Sequence, residues 1–396
     1  MKILLVMDQF DDENNGTTMS TRRFAETLRA HGNTVKVLGC GKSDENKYGV
    51  PERHVPLASY FAHKQGLLFA KAEPEIMRRA IAEADVVHFL MPFDFCKKGV
   101  KIAKELGVAY TAAFHVQPEN VTYNIGMDNF KPAVNFVYSL FRERFYKQFT
   151  HIHCPSVFIA NQLKEHNYKA QTHVISNGIG DSFVYTKTEK PQELKDKYVI
   201  TMVGRLSKEK RQDVLINAVA ESKYADKIQL VFAGKGPKAD YYKELGNKLP
   251  NKPIFGFYKQ SELINILGYS DLYVHAADIE IEAIACIEAF ATGLVPVIAN
   301  SPKSATPQFA RDERSLFEAG NSKELATKIE YWLDNPEEKE KMEKVYATYA
   351  QEYNIHKCVN KIEEMFTQAI NENKARLLAE EKVRQEENNE VTSKSE

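Results

Sequence analysis

Three glutamates stand in a largely apolar stretch between Val274 and Ser301. They are Glu280, Glu282 and Glu288 in VHAADIEIEAIACIEAFATGLVPVIANS. An unpaired buried carboxylate is costly, so such a group is rarely kept without a partner. Glu280 and Glu288 are eight residues apart, which is roughly 12 Å along a helix axis and comparable to the span from a hexose through a diphosphate to a ribose. Carboxylates accept hydrogen bonds from sugar hydroxyls, and the amides of a helix start suit phosphates.

The residues alone also fit a second interpretation, in which these glutamates form structural ion pairs or occupy solvated helix positions. A second candidate for phosphate chemistry follows the apolar strand 198–203, where the chain reads GRLSKEK from Gly204 to Lys210. Glycine followed by cations after a strand suits a diphosphate. The alternative is a basic surface turn.

The spacing of Glu280 and Glu288 resembles the Glu-x7-Glu signature of family 4 retaining glycosyltransferases with the GT-B fold. The whole segment through SPKSATPQFARDERSLFE is most similar to bacterial cholesterol α-glucosyltransferases and related lipid α-glycosyltransferases. The resemblance runs from the first strand to Leu333. It implies that Glu280 meets the donor sugar and Glu288 the nucleotide ribose. The usual Gly-Phe-Gly after the first Glu reads Ile281-Glu282-Ala283 here, and the backbone amides of this segment would contact the diphosphate.

Further site residues are implied by the same resemblance. Arg205 and Lys210 would clamp the donor diphosphate, and His115, at the end of an apolar strand, would position the hexose. Gly16, in the loop after the first strand, would close on the diphosphate, and Phe257, in Phe-Gly-Phe, would cradle the nucleobase. The predicted catalytic residues are therefore His115, Glu280, Arg205 and Lys210, and the remaining named residues are predicted to bind the donor.

The order of strands and helices predicts an α/β chain with two Rossmann-like domains. In the GT-B fold implied by the resemblance, their parallel sheets face each other across a cleft. We place an acceptor-binding domain at 1–185, a nucleotide-sugar-binding domain at 186–372 and a charged tail at 373–396. The last helix is expected to cross back to the first domain. One helix is predicted over 336–366.

Composition limits the class of protein. The chain has 396 residues with 43% hydrophobic and 27% charged content, as in an ordinary soluble protein with two domains. The apolar run after Lys2 is short and predicts a strand rather than a signal peptide, and no run reaches the length of a membrane-spanning helix. Five scattered cysteines without a CxxC motif predict reduced thiols in a cytoplasmic protein. A net charge of −1 and the lack of a nucleic-acid motif argue against a nucleic-acid partner.

Two aromatic and basic patches bear on the acceptor. Residues 130–149 read FKPAVNFVYSLFRERFYKQF, and Phe93, Phe95, Lys97 and Lys98 form a smaller patch. Such a segment can lie in a bilayer interface beside anionic headgroups. A helix packed under the first domain fits it equally, and the resemblance to lipid enzymes favours the membrane.

The leading hypothesis is therefore a retaining hexosyltransferase, with UDP-glucose as the best candidate donor and a membrane lipid such as a sterol or diacylglycerol as the acceptor. No acidic metal cluster is evident in the sequence, and fixed cations can replace a divalent ion, so no metal or other cofactor is expected. The protein would be peripheral on the inner face of the cell membrane. The alternatives are a soluble or polymeric glycan acceptor and a non-catalytic protein that binds nucleotide sugars.

Overall fold

The computed structural model describes residues 1–11, 16–54, 68–124, 126–127 and 130–393. These residues divide into two compact units. Unit 1 comprises 1–118, 130–175 and 358–396, and unit 2 comprises 119–129 and 176–357. The unit boundary after Ile175 therefore precedes the expected domain boundary at 185, and the last part of the chain groups with unit 1.

Unit 1 is built on a sheet of seven parallel strands in the order β3-β2-β1-β4-β5-β6-β7. The strands are β1 Lys2–Val6, β2 Thr34–Cys40, β3 Lys47–Val50, β4 Val86–Phe89, β5 Ala109–Ala113, β6 His151–Cys154 and β7 Gln171–Val174. The described helices up to β7 are α1 Gly16–Ala30, α2 Pro74–Ala82, α3 Asp94–Leu106, α4 Pro118–Asn124, α5 Lys131–Arg144 and α6 Val157–Glu165. Of these, α4 belongs to unit 2 from Glu119 onwards. Strands β1 and β4 are nearly continuous apolar runs because a parallel sheet is buried on both faces.

Unit 2 is built on a sheet of six parallel strands in the order β10-β9-β8-β11-β13-β15. The strands are β8 Tyr198–Val203, β9 Ile228–Ala233, β10 Ile254–Gly256, β11 Leu272–His275, β13 Pro296–Asn300 and β15 Leu316–Glu318, and a separate parallel pair is formed by β12 Ile279–Glu280 and β14 Lys303–Ser304. The described helices from β8 onwards are α7 Gln212–Glu221, α8 Ala239–Gly246, α9 Gln260–Tyr269, α10 Ile284–Ala291, α11 Ser322–Asp334, α12 Pro336–Ala350 and α13 Ile355–Ser393. Of these, α13 belongs to unit 1 from Cys358 onwards.

Both sheets have the same strand order, apart from the additional β7 of the first. In each, the order reverses beside the first strand, between β1 and β4 and between β8 and β11. Ligands of open parallel sheets bind outside the carboxyl ends of the strands at such a reversal. The loops after β1, β4, β8 and β11 are therefore the places to look for a site.

The predicted helix over 336–366 is wrong as a single element. The chain forms α12, then a 3₁₀ turn at Gln351–Tyr353, and then the 39-residue α13. Tyr353 packs its ring edge-on against Phe309 and Tyr349, so tertiary packing breaks the helix where the sequence offers neither glycine nor proline. From Asn373 to Ser393 the chain stays helical, and Leu378 and Val383 are exposed.

Candidate functional site

A buried charge network lies at the carboxyl end of β11. Glu280 accepts a hydrogen bond from the ammonium group of Lys210, and its Oε1 atom lies 3.1 Å from Nε2 of His275. On the other side of the imidazole, Nδ1 of His275 lies 3.2 Å from the hydroxyl of Tyr273. Backbone pairing of β12 with β14 holds Glu280 beside Ser304. Glu280 and Lys210, which were predicted separately, are therefore in direct contact.

The electrostatics of this network keep Glu280 ionised. Burial by itself would raise the pKa of this carboxyl, but Lys210 and then His275 outweigh it and lower the pKa to about 2. Because the carboxylate is ionised, the imidazole tautomer that fits carries its proton on Nε2 and donates it to Glu280. An ammonium group has three donors, so Lys210 can hold Glu280 and still donate to phosphate oxygens.

The loop after β8 supplies the second predicted cation. Arg205 is partly exposed, and its carbonyl oxygen accepts a hydrogen bond of 2.9 Å from Nε2 of Gln212. Gly234, at the end of β9, has a φ of +157°, and a Cβ there would lie 2.0 Å from the carbonyl oxygen of Gly204. Only glycine therefore lets the β8 and β9 loops approach so closely. This close packing fixes the backbone that carries Arg205.

The segment between Glu280 and α10 differs from the sequence-based interpretation. Glu280 belongs to β12 and α10 begins at Ile284, so the two carboxylates do not share one helix, and the span of about 12 Å along a helix axis does not apply. Ala283 has a φ of +69°, in the left-handed region. A side chain is disfavoured there by about 1–2 kcal/mol.

Glu282 has structural partners rather than an exposed carboxylate. Its side chain is 3% exposed, and its Oε2 atom accepts hydrogen bonds from the backbone N–H and the Nδ2 of Asn177, at 3.0 and 2.7 Å. Ile281, beside it, is partly buried. The predicted roles of Ile281, Glu282 and Ala283 in donor binding stay predictions, and only backbone groups of this segment have been proposed for that purpose.

The two remaining donor-binding residues of unit 2 lie on separate elements. Glu288 is partly buried within α10. Phe257 follows β10 and is 52% exposed, with the ammonium group of Lys235 lying 4.2 Å from its ring centroid. An exposed ring of this kind can stack on a flat partner. Their roles at a ribose and a nucleobase stay predictions.

Unit 1 contains the other two predicted residues. Gly16 is the first residue of α1, and a Cβ built on it would meet nothing within 4 Å. His115 lies two residues beyond β5, with its ring edge-on to His153 at a centroid distance of 5.5 Å. Burial, and to a smaller extent His153, lower the pKa of His115 to about 3. The imidazole is therefore neutral at physiological pH, as a hydrogen-bonding partner for a sugar hydroxyl would be.

The two aromatic patches are only partly at the surface. Phe95 is 1% exposed, so its inclusion in a surface patch was wrong; it is the second residue of α3 and points into the core of unit 1. On α5, Phe136 is 66% exposed, whereas Tyr138 is buried. The helix therefore has both a packed face and an exposed aromatic side chain.

Sequence reasoning missed two members of the unit 2 site. His275 is the last residue of β11 and contacts Glu280; its position at a strand end was the available signal. Asp278 accepts a hydrogen bond of 3.0 Å from Arg211, and the hydroxyl of Tyr123 lies 3.4 Å from the same Oδ2 atom. The ion pair between Arg211 and Asp278 fixes the end of the loop that carries Lys210.

The residues in the described ranges also bear on metal binding and membrane insertion. Among these residues, no group of three or more His, Cys, Asp or Glu side chains could hold a metal ion. All five cysteines are buried, and none of them forms a disulfide. None of the helices in the described part of the chain is both long and apolar enough to cross a bilayer.

Comparison with protein-family models assigns both halves of the chain. Residues 14–183 match Glycosyltransferase Family 4, and residues 185–349 match Glycosyl transferases group 1. Unit 2, with its Glu280–Lys210 pair, corresponds closely to the second model.

Two relatives with assigned activities share about a quarter of their aligned residues with this chain. An alpha-monoglucosyldiacylglycerol synthase of Streptococcus pneumoniae is 27% identical over 76% of this chain and 71% of that protein. A GDP-mannose-dependent alpha-mannosyltransferase of Corynebacterium glutamicum is 25% identical over 78% of this chain and 73% of that protein. The names of these two relatives specify different sugars, glucose and mannose.

Solved structures extend the comparison to the fold. Anabaena HepE in complex with UDP and glucose covers 93% of this chain and 99% of its own, with a TM-score of 0.70 and 16% identity. The catalytic domain of cholesterol-alpha-glucosyltransferase from Helicobacter pylori is 55% identical over 40% of this chain and 99% of its own, with a TM-score of 0.39. The family matches and the full-length structural likeness lead to one conclusion: the chain belongs to the family 4 glycosyltransferases with the GT-B fold.

Proposed function

We propose that the protein transfers glucose from UDP-glucose to the hydroxyl of a membrane lipid, with retention of configuration at the anomeric carbon. The observation that carries the proposal is the buried Glu280–Lys210–His275 network at the carboxyl end of β11, next to the β8 loop with Arg205. A fixed carboxylate beside fixed cations provides hydrogen-bond acceptors for sugar hydroxyls and donors for a diphosphate.

In the proposed reaction, the bond between the anomeric carbon and the diphosphate oxygen breaks, and the acceptor oxygen forms a bond to that carbon on the same face. The acceptor proton passes to the departing diphosphate oxygen. Arg205 and Lys210 stabilise the negative charge that develops on the leaving group, a contribution that is typically worth about 10²–10³-fold for each fixed donor. These fixed cations would make a divalent metal unnecessary.

Each remaining site residue has a role in this scheme. Glu280 accepts hydrogen bonds from hexose hydroxyls and holds the ammonium group of Lys210. Neutral His115 positions the hexose, Glu288 accepts from the ribose and Phe257 stacks on the base. Gly16 lets the backbone approach the diphosphate without a side chain.

The lipid acceptor is supported by the glucosyldiacylglycerol synthase relative and by exposed aromatic side chains. Phe130 and Phe136 are both more than half exposed, and the exposed Lys131 follows Phe130 at the start of α5. Aromatic rings next to cations suit the interface of an anionic membrane. We propose that the protein binds the inner face of the cell membrane through this surface.

The direct test uses radiolabelled UDP-glucose, UDP-galactose and GDP-mannose with cholesterol, dioleoylglycerol, ceramide and a soluble oligosaccharide as acceptors, with and without EDTA. We expect a labelled glucolipid from UDP-glucose in both conditions, and loss of the product with Glu280→Gln. A product formed only from GDP-mannose would show that the donor is not UDP-glucose. A product formed only on the oligosaccharide would show that the acceptor is not a lipid. Tight UDP binding without turnover would identify a non-catalytic protein.

Membrane binding has its own test. In sedimentation with vesicles of phosphatidylcholine and phosphatidylglycerol, Phe136→Asp should release most of the bound protein. Tyr241→Asp, at an aromatic side chain of unit 2 that is also more than half exposed, is the matched control. Equal sedimentation of both variants and the wild type would remove the support for this surface.

A further inference from the structure

A cavity of about 370 Å³ opens in unit 1 at the reversal of strand order between β1 and β4. Its floor includes Asp8, two residues beyond β1, and its walls include Phe69, Pro92, Phe93 and Phe141. The rings of Phe69 and Phe93 meet edge-on at a centroid distance of 5.8 Å. A cavity of this size, with mostly apolar walls and a few polar groups, is typical of a small-molecule site.

The polar group on the floor is incompletely satisfied. Asp8 is 4% exposed, and its Oδ1 atom accepts a hydrogen bond of 3.0 Å from the backbone N–H of Ala70. Among the residues that the structure describes, none donates a hydrogen bond to Oδ2 of Asp8. A buried acceptor without a partner is costly and rare in folded proteins. A ligand that brings a hydroxyl would satisfy it.

The mouth of the cavity is positively charged. Arg53, Lys97 and Arg144 line it and are all exposed, and besides Asp8 on the floor only one further acidic side chain, Asp94, is among the described lining residues. Nη1 of Arg53 lies 2.9 Å from Oδ2 of Asp94, so that acid is already neutralised. Leu140 and Phe141 of α5 also line the cavity. The cationic mouth would face anionic headgroups while the walls hold an uncharged apolar molecule.

The cavity lies at the same edge of the sheet as His115. Strands β1, β4 and β5 are neighbours, and Asp8 and His115 each lie two residues beyond the end of their strand. At a spacing of about 4.8 Å between strands, the two backbones are roughly 10 Å apart. At this separation, an acceptor hydroxyl near Asp8 could reach a hexose near His115.

We propose that this cavity binds the lipid acceptor, an apolar molecule with a neutral hydroxyl, and that the carboxyl group of Asp8 forms a hydrogen bond with that hydroxyl. The apolar body lies against Phe93, Leu140 and Phe141 and leaves through the cationic mouth. The assignment rests on the proposed function, because only that function gives the bound lipid a reaction to undergo. Binding of the lipid itself requires no nucleotide sugar. A sterol and a diacylglycerol share this chemistry.

The test locates the lipid directly by photo-cross-linking with a diazirine-bearing cholesterol analogue in the absence of any nucleotide sugar, followed by peptide mapping. We expect labelling within 69–70, 92–97 and 140–144, displaced by excess cholesterol or dioleoylglycerol but at least tenfold less well by cholesteryl methyl ether. Labelling elsewhere, or labelling that neither lipid alcohol displaces, would contradict the assignment of this cavity as the lipid site. Equal displacement by the ether would overturn the contact with Asp8.

Matched variants separate the cavity from the fold and from the reaction. Leu140→Trp fills the cavity and should lower labelling at least tenfold, whereas Asn135→Trp, at an exposed position of the same helix, should not. Asp8→Leu should raise the KM for the lipid at least tenfold with little change in the KM for UDP-glucose, and Asp8→Asn should largely restore it. A wild-type protein that is labelled but has no transferase activity would sink the proposed function alone. Full labelling and an unchanged lipid KM in Leu140→Trp would sink the cavity alone.

Discussion

Asp8 and Arg205 occupy equivalent positions in two sheets of the same strand order, each two residues beyond the first strand of its sheet. The surroundings of the two positions differ in kind. Near Arg205 the buried acid is Glu280, which is paired with Lys210 and His275 and has a pKa of about 2. Asp8 lies in an apolar cavity, and its burial raises the pKa to about 7. One topology thus supports a charged edge and an apolar edge.

The difference shows how a repeated fold can separate two substrates of opposite character. A nucleotide diphosphate needs fixed cations, and each cation that is buried needs an acid beside it. An apolar alcohol needs walls without charge and one polar contact. Neither requirement is met by the strand order itself, because both depend on the side chains that follow the strands.

The largest effect on stability should come from Asp8. For an acid whose folded pKa is raised from 3.8 to about 7, the cost of folding is absent below the unfolded pKa and complete above the folded one. A shift of about 3 units corresponds to about 4 kcal/mol. Asp8→Asn should therefore stabilise unit 1 by up to about 4 kcal/mol at pH 8 and by little at pH 4, measured by hydrogen exchange of the β1 amides. The same gain at both pH values would show that ionisation of Asp8 is not the cause.

The paired acid should behave in the opposite way. Removal of the cation in Lys210→Met leaves Glu280 buried with His275, at a cost of about 3 kcal/mol at pH 7. Because the folded pKa of Glu280 is depressed to about 2, the stabilisation is present above pH 4.5, the ordinary pKa of a glutamate, and is lost as the pH falls towards 2. The only tryptophan, Trp332, is buried in unit 2 and reports its unfolding.

Lys210→Met/Glu280→Gln is the control for this prediction, and it should recover most of the lost stability, since no buried charge is left. If the single and double variants were equally destabilised, packing of the lysine side chain rather than its charge would explain the loss.

A smaller effect is expected where Asn177 holds Glu282. Asn177→Ala removes the 2.7 Å hydrogen bond to the Glu282 carboxylate, which should cost about 2 kcal/mol of unfolding free energy. The KM for UDP-glucose should change less than twofold, because Glu282 faces Asn177. Asn247→Ala, a loop substitution next to α8, is the control. A large rise in KM without loss of stability would restore Glu282 to the donor site.

The smallest effect concerns the backbone before α10. Ala283→Gly should stabilise unit 2 by about 1 kcal/mol, because glycine adopts a φ of +69° without the steric cost that alanine has there. Ala285→Gly, inside α10, should destabilise by about the same amount. Trp332 fluorescence in urea measures both. The same sign for both substitutions would exclude backbone conformation as the explanation.

Much of the fold could be predicted from the sequence because the strands of buried parallel sheets are continuous apolar runs. The strand 198–203 coincides with β8, and the apolar run before His115 contains β5. Glycine after an apolar helical run is a typical stop signal, and Gly293 has a φ of +100° just beyond α10. Signals of this kind depend on neighbouring residues alone, so they can be read from the sequence without knowledge of tertiary contacts.

The rest depended on contacts between distant residues. Asn177 and Glu282 are 105 positions apart, and no local pattern indicates that they meet. His275 looked like an ordinary strand residue until the β12–β14 pair placed Glu280 beside it. Phe95 was assigned to the surface because it is next to exposed lysines, whereas α3 turns it inward. The cavity at Asp8 is lined by residues from five separate segments of the described chain.

The central claim is that unit 2 holds a nucleotide sugar through Arg205 and Lys210 and stabilises its leaving diphosphate with them. The most direct measurement compares kcat/KM for UDP-glucose between the wild type and Arg205→Ala/Lys210→Ala, with the exposed pair Lys243→Ala/Lys252→Ala as the control. The account predicts a fall of about 10⁴-fold in the first variant and less than threefold in the control. Undiminished turnover in Arg205→Ala/Lys210→Ala would contradict it.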